Sequence, residues 1–291
     1  MLRFIFRKLK HGYIWQRVFV ERFTEPLHLN VIAIFVALFG SLRMKIAFDL
    51  VLRHHHSYAI LEQADFAKNL GIKTVTLIEF GVANGAGLLN ICEIARRVTA
   101  VTGVEFRIYG FDTGKGMPPP ESYRDHPELY STGDFPMNHQ ALKQRLPANA
   151  TLVLGELKET VEQFVAKLSA EEPVGFVSID VDYHSSTRDA LKIFSAAPDK
   201  YLPRVQIYLD DVEAPTHNSW CGELFAVHEF NAANELRKIE HHTFLRGQRI
   251  FKNARWIDHM MMLHVLDAPM RSSWRTTGGP PPIVLDNPYI S

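Results

Sequence analysis

The sequence of 291 residues has few cysteines, no net excess of charge and no apolar run of the roughly 20 residues that cross a bilayer. Cys92 and Cys221 are too few for a disulfide framework and lack metal-ligand spacing, so a reducing compartment such as the cytoplasm is expected. Lysine plus arginine and aspartate plus glutamate number 32 each, which shows no bias toward nucleic acid. With 46% apolar residues, the composition fits a globular protein with a sizeable core.

The charge is unevenly distributed along the chain. Residues 1–53 contain nine lysines and arginines against three acids, a net charge of +6, so the remainder carries −6. Residues 1–22 mix apolar and basic side chains, which predicts one amphipathic helix, either on an anionic membrane surface or packed on the core or a second subunit. The apolar range 31–40 predicts a buried helix or an interfacial segment. Peripheral membrane contact through 1–53 and homo-oligomer formation both stay open.

The chain is organised around an apolar, β-rich run at 75–80, a glycine-punctuated turn, and apolar residues at helical spacing after it. Strand, turn and helix form the first unit of a nucleotide-binding sheet. The spacing is Glu79-x-Gly81-x-x-x-Gly85, not G-x-G-x-x-G. An acid here would repel a pyrophosphate and suit a cationic ligand end, such as the ammonium group of S-adenosylmethionine, while Gly81 and Gly85 would give that end room. This stretch resembles motif I of the class I S-adenosylmethionine-dependent methyltransferases.

Alternating strands and helices continue beyond this unit. Strands are predicted at 105–111, 151–154, 174–181, 205–209 and 257–266. They predict an α/β fold with a Rossmann-like, doubly wound, mostly parallel sheet and helices on both faces. We assign 71–291 to one catalytic domain and 1–70 to an N-terminal helical extension. A long polar insertion after the second strand is expected to act as a lid over the substrate.

Acidic residues follow three of the predicted strands. Asp112, after the second strand, is placed to accept hydrogen bonds from ribose hydroxyls. Asp180 and Asp182 follow one later strand, and Asp210 and Asp211 follow the next. Neighbouring strands lie about 4.8 Å apart, so these acids can converge, and crowded carboxylates repel unless a cation lies among them. Oxygen ligands favour Mg²⁺ or Ca²⁺ over zinc. The alternative is that each aspartate caps the following helix.

The run from Asp180 to Thr187, DVDYHSST, followed by Asp210-Asp211, resembles the macrocin O-methyltransferase family, and the run 110–118, GFDTGKGMP, resembles its second motif. That family includes metal-dependent sugar O-methyltransferases. The resemblance covers about 75–235. It implies metal ligation by Asp180, Asp210 and Asp211, a general base at Asp182 and ribose binding by Asp112, with Glu79, Gly81 and Gly85 at the cofactor.

These patterns predict a cytoplasmic O-methyltransferase that uses S-adenosylmethionine and a hard divalent cation such as Mg²⁺. The acceptor would be a hydroxylated small molecule, such as a sugar or a glycosylated natural product. His184 and His217 are alternative bases. Two other functions remain open from the sequence: a nicotinamide-dependent oxidoreductase on a similar fold, and a non-catalytic protein that binds a membrane surface.

Overall fold

The computed structural model describes residues 17–213, 216–272 and 282–286. A seven-stranded sheet has the order β3-β2-β1-β4-β5-β7-β6. Its strands are β1 (Thr74–Phe80), β2 (Glu105–Asp112), β3 (Ala150–Leu154), β4 (Val174–Ile179), β5 (Tyr201–Leu209), β6 (Arg237–His241) and β7 (Met260–Val265). Strands β1 to β5 pair in parallel, whereas β7 runs antiparallel to both β5 and β6. The predicted Rossmann-like, mostly parallel sheet is confirmed.

Helices join the strands and cover the sheet. They are α1 (Leu27–Phe39), α2 (Leu42–Ala47), α3 (His54–Asn69), α4 (Ala86–Thr102), α5 (His139–Lys143), α6 (Leu157–Val165), α7 (His184–Leu191), α8 (Gly222–Ala233), α9 (Leu245–Gln248) and α10 (Pro269–Ser272). A π-helix, Arg17–Arg22, precedes α1. Short 3₁₀ turns occupy Tyr123–Asp125, Lys192–Ser195, Pro198–Lys200 and Arg255–His259.

The core lies on both faces of the sheet because successive strand residues point to opposite sides. In β1, Leu77 packs with α3 and α4 in one apolar cluster, and its neighbour Ile78 packs with α6, α7 and α8 in the other. Every residue of β4 is buried, which explains why its sequence is a continuous apolar run without alternation.

The strand order reverses between β1 and β4. The chain builds outward from β1 through β2 to β3 and then returns to place β4 on the opposite side of β1. In doubly wound sheets, ligands bind beyond the carboxyl ends of the strands at such a switch point. Phe80 pairs with Ile179, and Ile179 pairs with Leu209, so the acids that follow β4 and β5 start at the same level of the sheet.

The N-terminal part differs from the sequence prediction in two respects. Helix α3 packs against β1, β4 and β5, so a boundary at residue 70 does not separate it from the core. For 31–40 we predicted a buried helix or an interfacial segment; the range is part of α1, in which only Ala33 and Val36 are buried, so the buried helix is wrong. Of the predicted amphipathic helix at 1–22, residues 1–16 lie outside the described residues.

The histidine run at the start of α3, His54 to His56, is partly enclosed by the core. His56 is buried and its Nδ1 lies 3.1 Å from Asn90 Oδ1, while the ring of His55 stacks on Tyr208 at 3.8 Å. Burial and nearby positive charges lower the pKa of His56 to about 3, so its ring is neutral.

The C-terminal third contains a strand that the sequence pattern did not reveal. Strand β6, with the sequence RKIEH, has one central buried apolar residue, Ile239, and so little periodicity. Strand β7 is shorter than the predicted range 257–266 because a 3₁₀ turn, Arg255–His259, precedes it. Of the range 272–291, only Ser272 and 282–286 are among the described residues. In the described part of the chain, none of the helices has the length and apolar character needed to traverse a bilayer.

Candidate active site

A cavity of about 460 Å³ lies at the carboxyl edge of the sheet, where β1, β2, β4 and β5 end. Its walls come from the glycine turn after β1, the ends of β2 to β5 and the insertion after β2. The lining includes Gly81, Ala83, Asp112, Tyr130, Asp134, Phe135, Glu156, Asp180, Asp182, Asp210 and Asp211. One cavity therefore contains most of the residues predicted to bind cofactor or metal.

Gly81 allows two strand ends to touch. It has φ +81°, and a Cβ at this position would lie 1.6 Å from the carbonyl oxygen of Asp180. Any side chain here would push β1 away from the acid-bearing end of β4. Gly85 plays a different part: a Cβ would lie 2.4 Å from Leu142 Cδ1 on α5, and Gly85 does not line the cavity.

Glu79 lies behind the glycine turn and is not among the residues that line the cavity. Its Oε1 fills the space that a Cβ on Gly87 would occupy, 1.9 Å away. Within the described structure, the buried Oε2 has no hydrogen-bond partner. Burial and the charges of Asp180 and Asp112 raise its pKa well above the ordinary value. Glu79 therefore carries an unsatisfied buried acceptor beneath the turn.

Asp112 fastens the glycine turn to the end of β2. Its Oδ2 accepts hydrogen bonds of 2.9 Å from the backbone N–H groups of Val82 and Ala83, and its Oδ1 accepts one of 2.6 Å from Gly114. A carboxylate has about four acceptor positions, so capacity remains for a ribose hydroxyl. The side chain lines the cavity, as ribose binding requires.

Three carboxylates converge at the other side of the cavity. Asp180, Asp182 and Asp211 each offer an oxygen, and these oxygens lie within 4.8 Å of one another. Throughout the described ranges, none of the three is paired with a lysine or arginine. Burial and facing carboxylates raise the pKa of Asp211 to about 9, and burial also raises the pKa values of Asp180 and Asp182.

This cluster differs from the predicted metal set. It includes Asp182, which we predicted as the base, and leaves out Asp210. Asp210 is exposed, and its Oδ1 accepts a 2.7 Å hydrogen bond from the hydroxyl of Tyr208. The carboxylate oxygens of Asp180, Asp182 and Asp211 fit a hard divalent cation. Asp211 Oδ2 is buried and has no hydrogen-bond partner among the described residues, so it is available to such a cation.

Asp182 is held in a strained turn. Its φ is +59°, and the N–H of Tyr183 donates a 2.5 Å hydrogen bond across it to the carbonyl of Val181. Non-glycine residues rarely adopt such a conformation, and where they do the strain is often part of a site. Ala83, on the facing turn, also has positive φ, at +45°.

The insertion after β2 reaches the acids, as a lid would. Tyr130 donates from its hydroxyl to Asp211 Oδ1 at 3.3 Å and lies 3.3 Å from His217 Nε2. Asp125, fully buried, anchors the insertion by accepting from the N–H of Ser185 at the start of α7, at 2.8 Å. Neither residue had a sequence signal, because each acts across about 60 to 90 residues of chain.

Glu223, in the first turn of α8, joins the two acid-bearing loops. Its fully buried carboxyl accepts from the N–H of Val181 at 3.4 Å and from the N–H of Asp211 at 3.1 Å. Of the two alternative bases, His217 Nε2 lies 3.6 Å from Asp211 Oδ1. His184 points elsewhere and bonds Glu229 at 2.7 Å.

The chain is similar to known methyltransferases in sequence and in fold. Residues 78–212 match a family described as methyltransferase domain. The structure of CalS11, described as a calicheamicin methyltransferase, is 18% identical, with a TM-score of 0.50 over 82% of this chain and 91% of that one. The O-methyltransferase NovP is 17% identical, with a TM-score of 0.44 over 63% and 75%. A comparison with curated proteins finds no significant match.

The family match spans β1 to the acids after β5, which is the part of the chain that builds the cavity. This match and the shared Rossmann-like fold support an S-adenosylmethionine-dependent methyltransferase. The match favours the methyltransferase prediction over the nicotinamide-dependent and non-catalytic alternatives. The narrower resemblance to the macrocin family stays a prediction.

Proposed function

We propose that this enzyme transfers a methyl group from S-adenosylmethionine to a hydroxyl of a small polyhydroxylated molecule, with a divalent cation at the acid cluster. The observation that carries the proposal is that Asp180, Asp182 and Asp211 converge in the same cavity as Asp112 and the glycine turn. Donor and acceptor would then meet between the ends of β1 and β4, as an in-line displacement requires.

The cofactor would occupy the side of the cavity formed by Gly81, Asp112 and Glu156. When bound, it supplies an electrophilic methyl group on a sulfonium. Asp112 would accept hydrogen bonds from the ribose, and Gly81 would let the chain approach the amino-acid end. Glu79 would act through the turn, since its carboxyl lies beneath Gly87. Gly85 supports the turn against Leu142.

The acceptor hydroxyl would lie beside the carboxylates. Mg²⁺ or a similar cation would be held by Asp180 and Asp211, together with either Asp182 or Asp210. The bound cation would lower the pKa of a hydroxyl near it. Asp182 would take the hydroxyl proton as the new oxygen–carbon bond forms and the carbon–sulfur bond breaks.

A sugar or a glycosylated natural product is the acceptor class that we propose. A second CalS11 structure is described as a TDP-rhamnose 3′-O-methyltransferase from calicheamicin biosynthesis, and it is 15% identical to this chain. The cavity contains both polar and aromatic groups that suit a sugar ring, among them Tyr130, Asp134 and Phe135.

The cellular location that we propose is the cytoplasm. Cys92 and Cys221 are both free, with Cys92 buried, as in proteins of a reducing compartment. Whether the enzyme works as a homo-oligomer stays a prediction.

Calorimetry of S-adenosylmethionine binding, with and without Mg²⁺, tests the proposal directly. We expect micromolar binding by the wild type and at least about tenfold weaker binding by Asp112→Asn, which loses ribose acceptors but keeps its size. Asp199→Asn, in the 3₁₀ turn before β5, serves as the control and should bind like the wild type. Absence of binding by the wild type would overturn the proposal.

A second assay separates chemistry from binding. Wild-type enzyme with nucleotide sugars and Mg²⁺ should release S-adenosylhomocysteine, and Asp182→Asn should lose at least about a hundredfold in rate while its affinity for the cofactor stays within about twofold. Release that does not change when EDTA removes the divalent cation would contradict the role of the acid cluster.

A further inference from the structure

Helix α1 exposes an unusual amount of apolar surface. It contains no lysine, arginine, aspartate or glutamate. Seven of its large apolar side chains are exposed: Leu27, Val31, Ile32, Ile34, Phe35, Leu38 and Phe39. Helices on the surface of a globular protein normally turn such side chains inward and present charged residues to water. An apolar patch of this kind marks an interaction surface.

The exposed side chains form one continuous face. At 3.6 residues per turn, the seven project within an arc of about 160°, centred opposite the buried residues. Ala33 and Val36 form the narrow strip that packs on the rest of the protein. The helix is thus attached to the body by one side and offers the opposite side to a partner.

We infer that α1 docks on the surface of an anionic lipid bilayer and lies in its interfacial layer. The 26 residues that precede it contain six basic residues, Arg3, Arg7, Lys8, Lys10, Arg17 and Arg22, against two acids, Glu21 and Glu25, and residues 1–20 contain no acid. A basic segment that precedes an apolar helical face in the sequence is a combination that binds anionic lipid, through charge attraction together with burial of apolar side chains.

The dimensions agree with a helix that lies along the surface. Thirteen residues make a helix of about 20 Å, shorter than the roughly 30 Å hydrocarbon core of a bilayer. With the protein body packed along Ala33 and Val36, the helix can sink only its outer face. A shallow insertion by the seven exposed side chains satisfies both constraints.

A second copy of the chain covers this face less well. Leu27, Val31, Ile34 and Leu38 follow the spacing of a two-helix seam. Such a seam occupies a stripe narrower than the observed arc and would leave Ile32, Phe35 and Phe39 in water. A lipid surface covers the entire arc and also uses the positive charge that precedes it.

Vesicle co-sedimentation of the full chain tests the inference. The vesicles are phosphatidylcholine alone or phosphatidylcholine mixed with phosphatidylserine. The variant Phe35→Ser/Leu38→Ser removes two side chains that are 62% and 67% exposed, so its fold should be unaffected. Phe244→Ser is the matched control, because Phe244 is an exposed apolar residue, 81% accessible, outside α1.

We expect the wild type and Phe244→Ser to bind the phosphatidylserine vesicles. The partition coefficient of the α1 variant on these vesicles should be lower than that of the wild type by more than about tenfold. Equal sedimentation of the α1 variant and the wild type, or no sedimentation of the wild type with either vesicle, would overturn the inference. So would sedimentation velocity without lipid that shows a wild-type dimer and a monomeric α1 variant, because a second copy would then cover the face.

Brominated lipid gives an independent readout of insertion. Tryptophan placed at Phe35 (Phe35→Trp) should be quenched by vesicles with brominated acyl chains, whereas tryptophan at Phe244 (Phe244→Trp) should not be quenched beyond the level of the wild-type tryptophans. Equal quenching of the two variants would also overturn the inference. Neither result depends on whether the enzyme has an acceptor available.

Discussion

The carboxyl of Glu223 bonds to backbone N–H groups on two different loops at the acid cluster. One loop follows β4 and the other follows β5, so a single side chain fixes the relative position of Asp182 and Asp211. Residues behind a metal site commonly orient its ligands in this way. Glu223 carries no sequence signal, since it lies 42 residues from Val181 and 12 from Asp211.

Replacing Glu223 by glutamine should loosen the acid cluster. The amide keeps the size of the side chain but has one acceptor oxygen, so either Val181 or Asp211 loses its backbone hydrogen bond. We expect the affinity for Mn²⁺, measured by electron paramagnetic resonance, to fall about tenfold. The affinity for S-adenosylmethionine should stay within about twofold. Glu235→Gln, an exposed control beyond the end of α8, should leave both affinities unchanged, and an unchanged Mn²⁺ affinity in Glu223→Gln would contradict the role.

At the scale of elements, the segment around α1 and α2 is tied to the C-terminal half by a buried ion pair. Arg249 donates to Asp49 Oδ1 at 2.7 Å and to the carbonyl of Ile46 at 2.7 Å, and both charged side chains are buried. Its guanidinium also lies 5.2 Å from the ring centres of Tyr58 and Trp256. The part of the N-terminal extension around Ile46 to Tyr58 is therefore integrated into the fold.

Breaking this pair should cost far more than breaking a surface pair. Arg249→Met removes the ion-pair partner of the buried Asp49, so we expect the free energy of unfolding to fall by about 3–5 kcal/mol. Arg43→Met breaks a half-exposed pair with Asp65 and should cost at most about 1 kcal/mol. Urea denaturation measures both. Similar losses in the two variants would show that the buried pair does not hold the extension in place.

For the molecule as a whole, the crowded carboxylates make stability depend on pH. The folded protein keeps the proton of Asp211 up to about pH 9, whereas the unfolded chain releases it near the ordinary value of 3.8. The folded state binds more protons in that window, so stability falls as pH rises through it. Above pH 7 the buried histidines are already neutral in both states and do not mask the effect.

We therefore expect the free energy of unfolding of the cation-free wild type to fall by about 2 kcal/mol between pH 7 and pH 9, relative to that of Asp211→Asn. The reason is that the folded wild type holds one more proton than the unfolded chain over about two pH units. Mg²⁺ should cancel the loss in the wild type by compensating the ionised carboxylates. Thermal unfolding with and without EDTA measures both effects. Parallel pH profiles for the two proteins would show that Asp211 does not keep its proton.

Local patterns were sufficient for much of the architecture. Burial of apolar side chains decides where β1, β4 and α4 form. The spacing of apolar residues in the sequence therefore predicts these elements directly. The glycine turn was predictable because Gly81 needs positive φ. Strand β6 was missed because it is a short edge strand in which four of the five residues are charged or polar, so it has little apolar signal.

What the sequence by itself determined is the alternation of strands and helices, the turn after β1 and the four aspartates at the carboxyl edge, because each depends on residues close together in the chain. Only the tertiary structure decided that Asp182 joins Asp180 and Asp211 while Asp210 bonds Tyr208. It also decided that Tyr130 and Glu223 reach the acids from distant segments. Those contacts depend on strand order and on how loops cross the edge of the sheet. The tertiary structure also decided that the apolar face of α1 stays exposed, because the rest of the protein covers only the side of α1 with Ala33 and Val36.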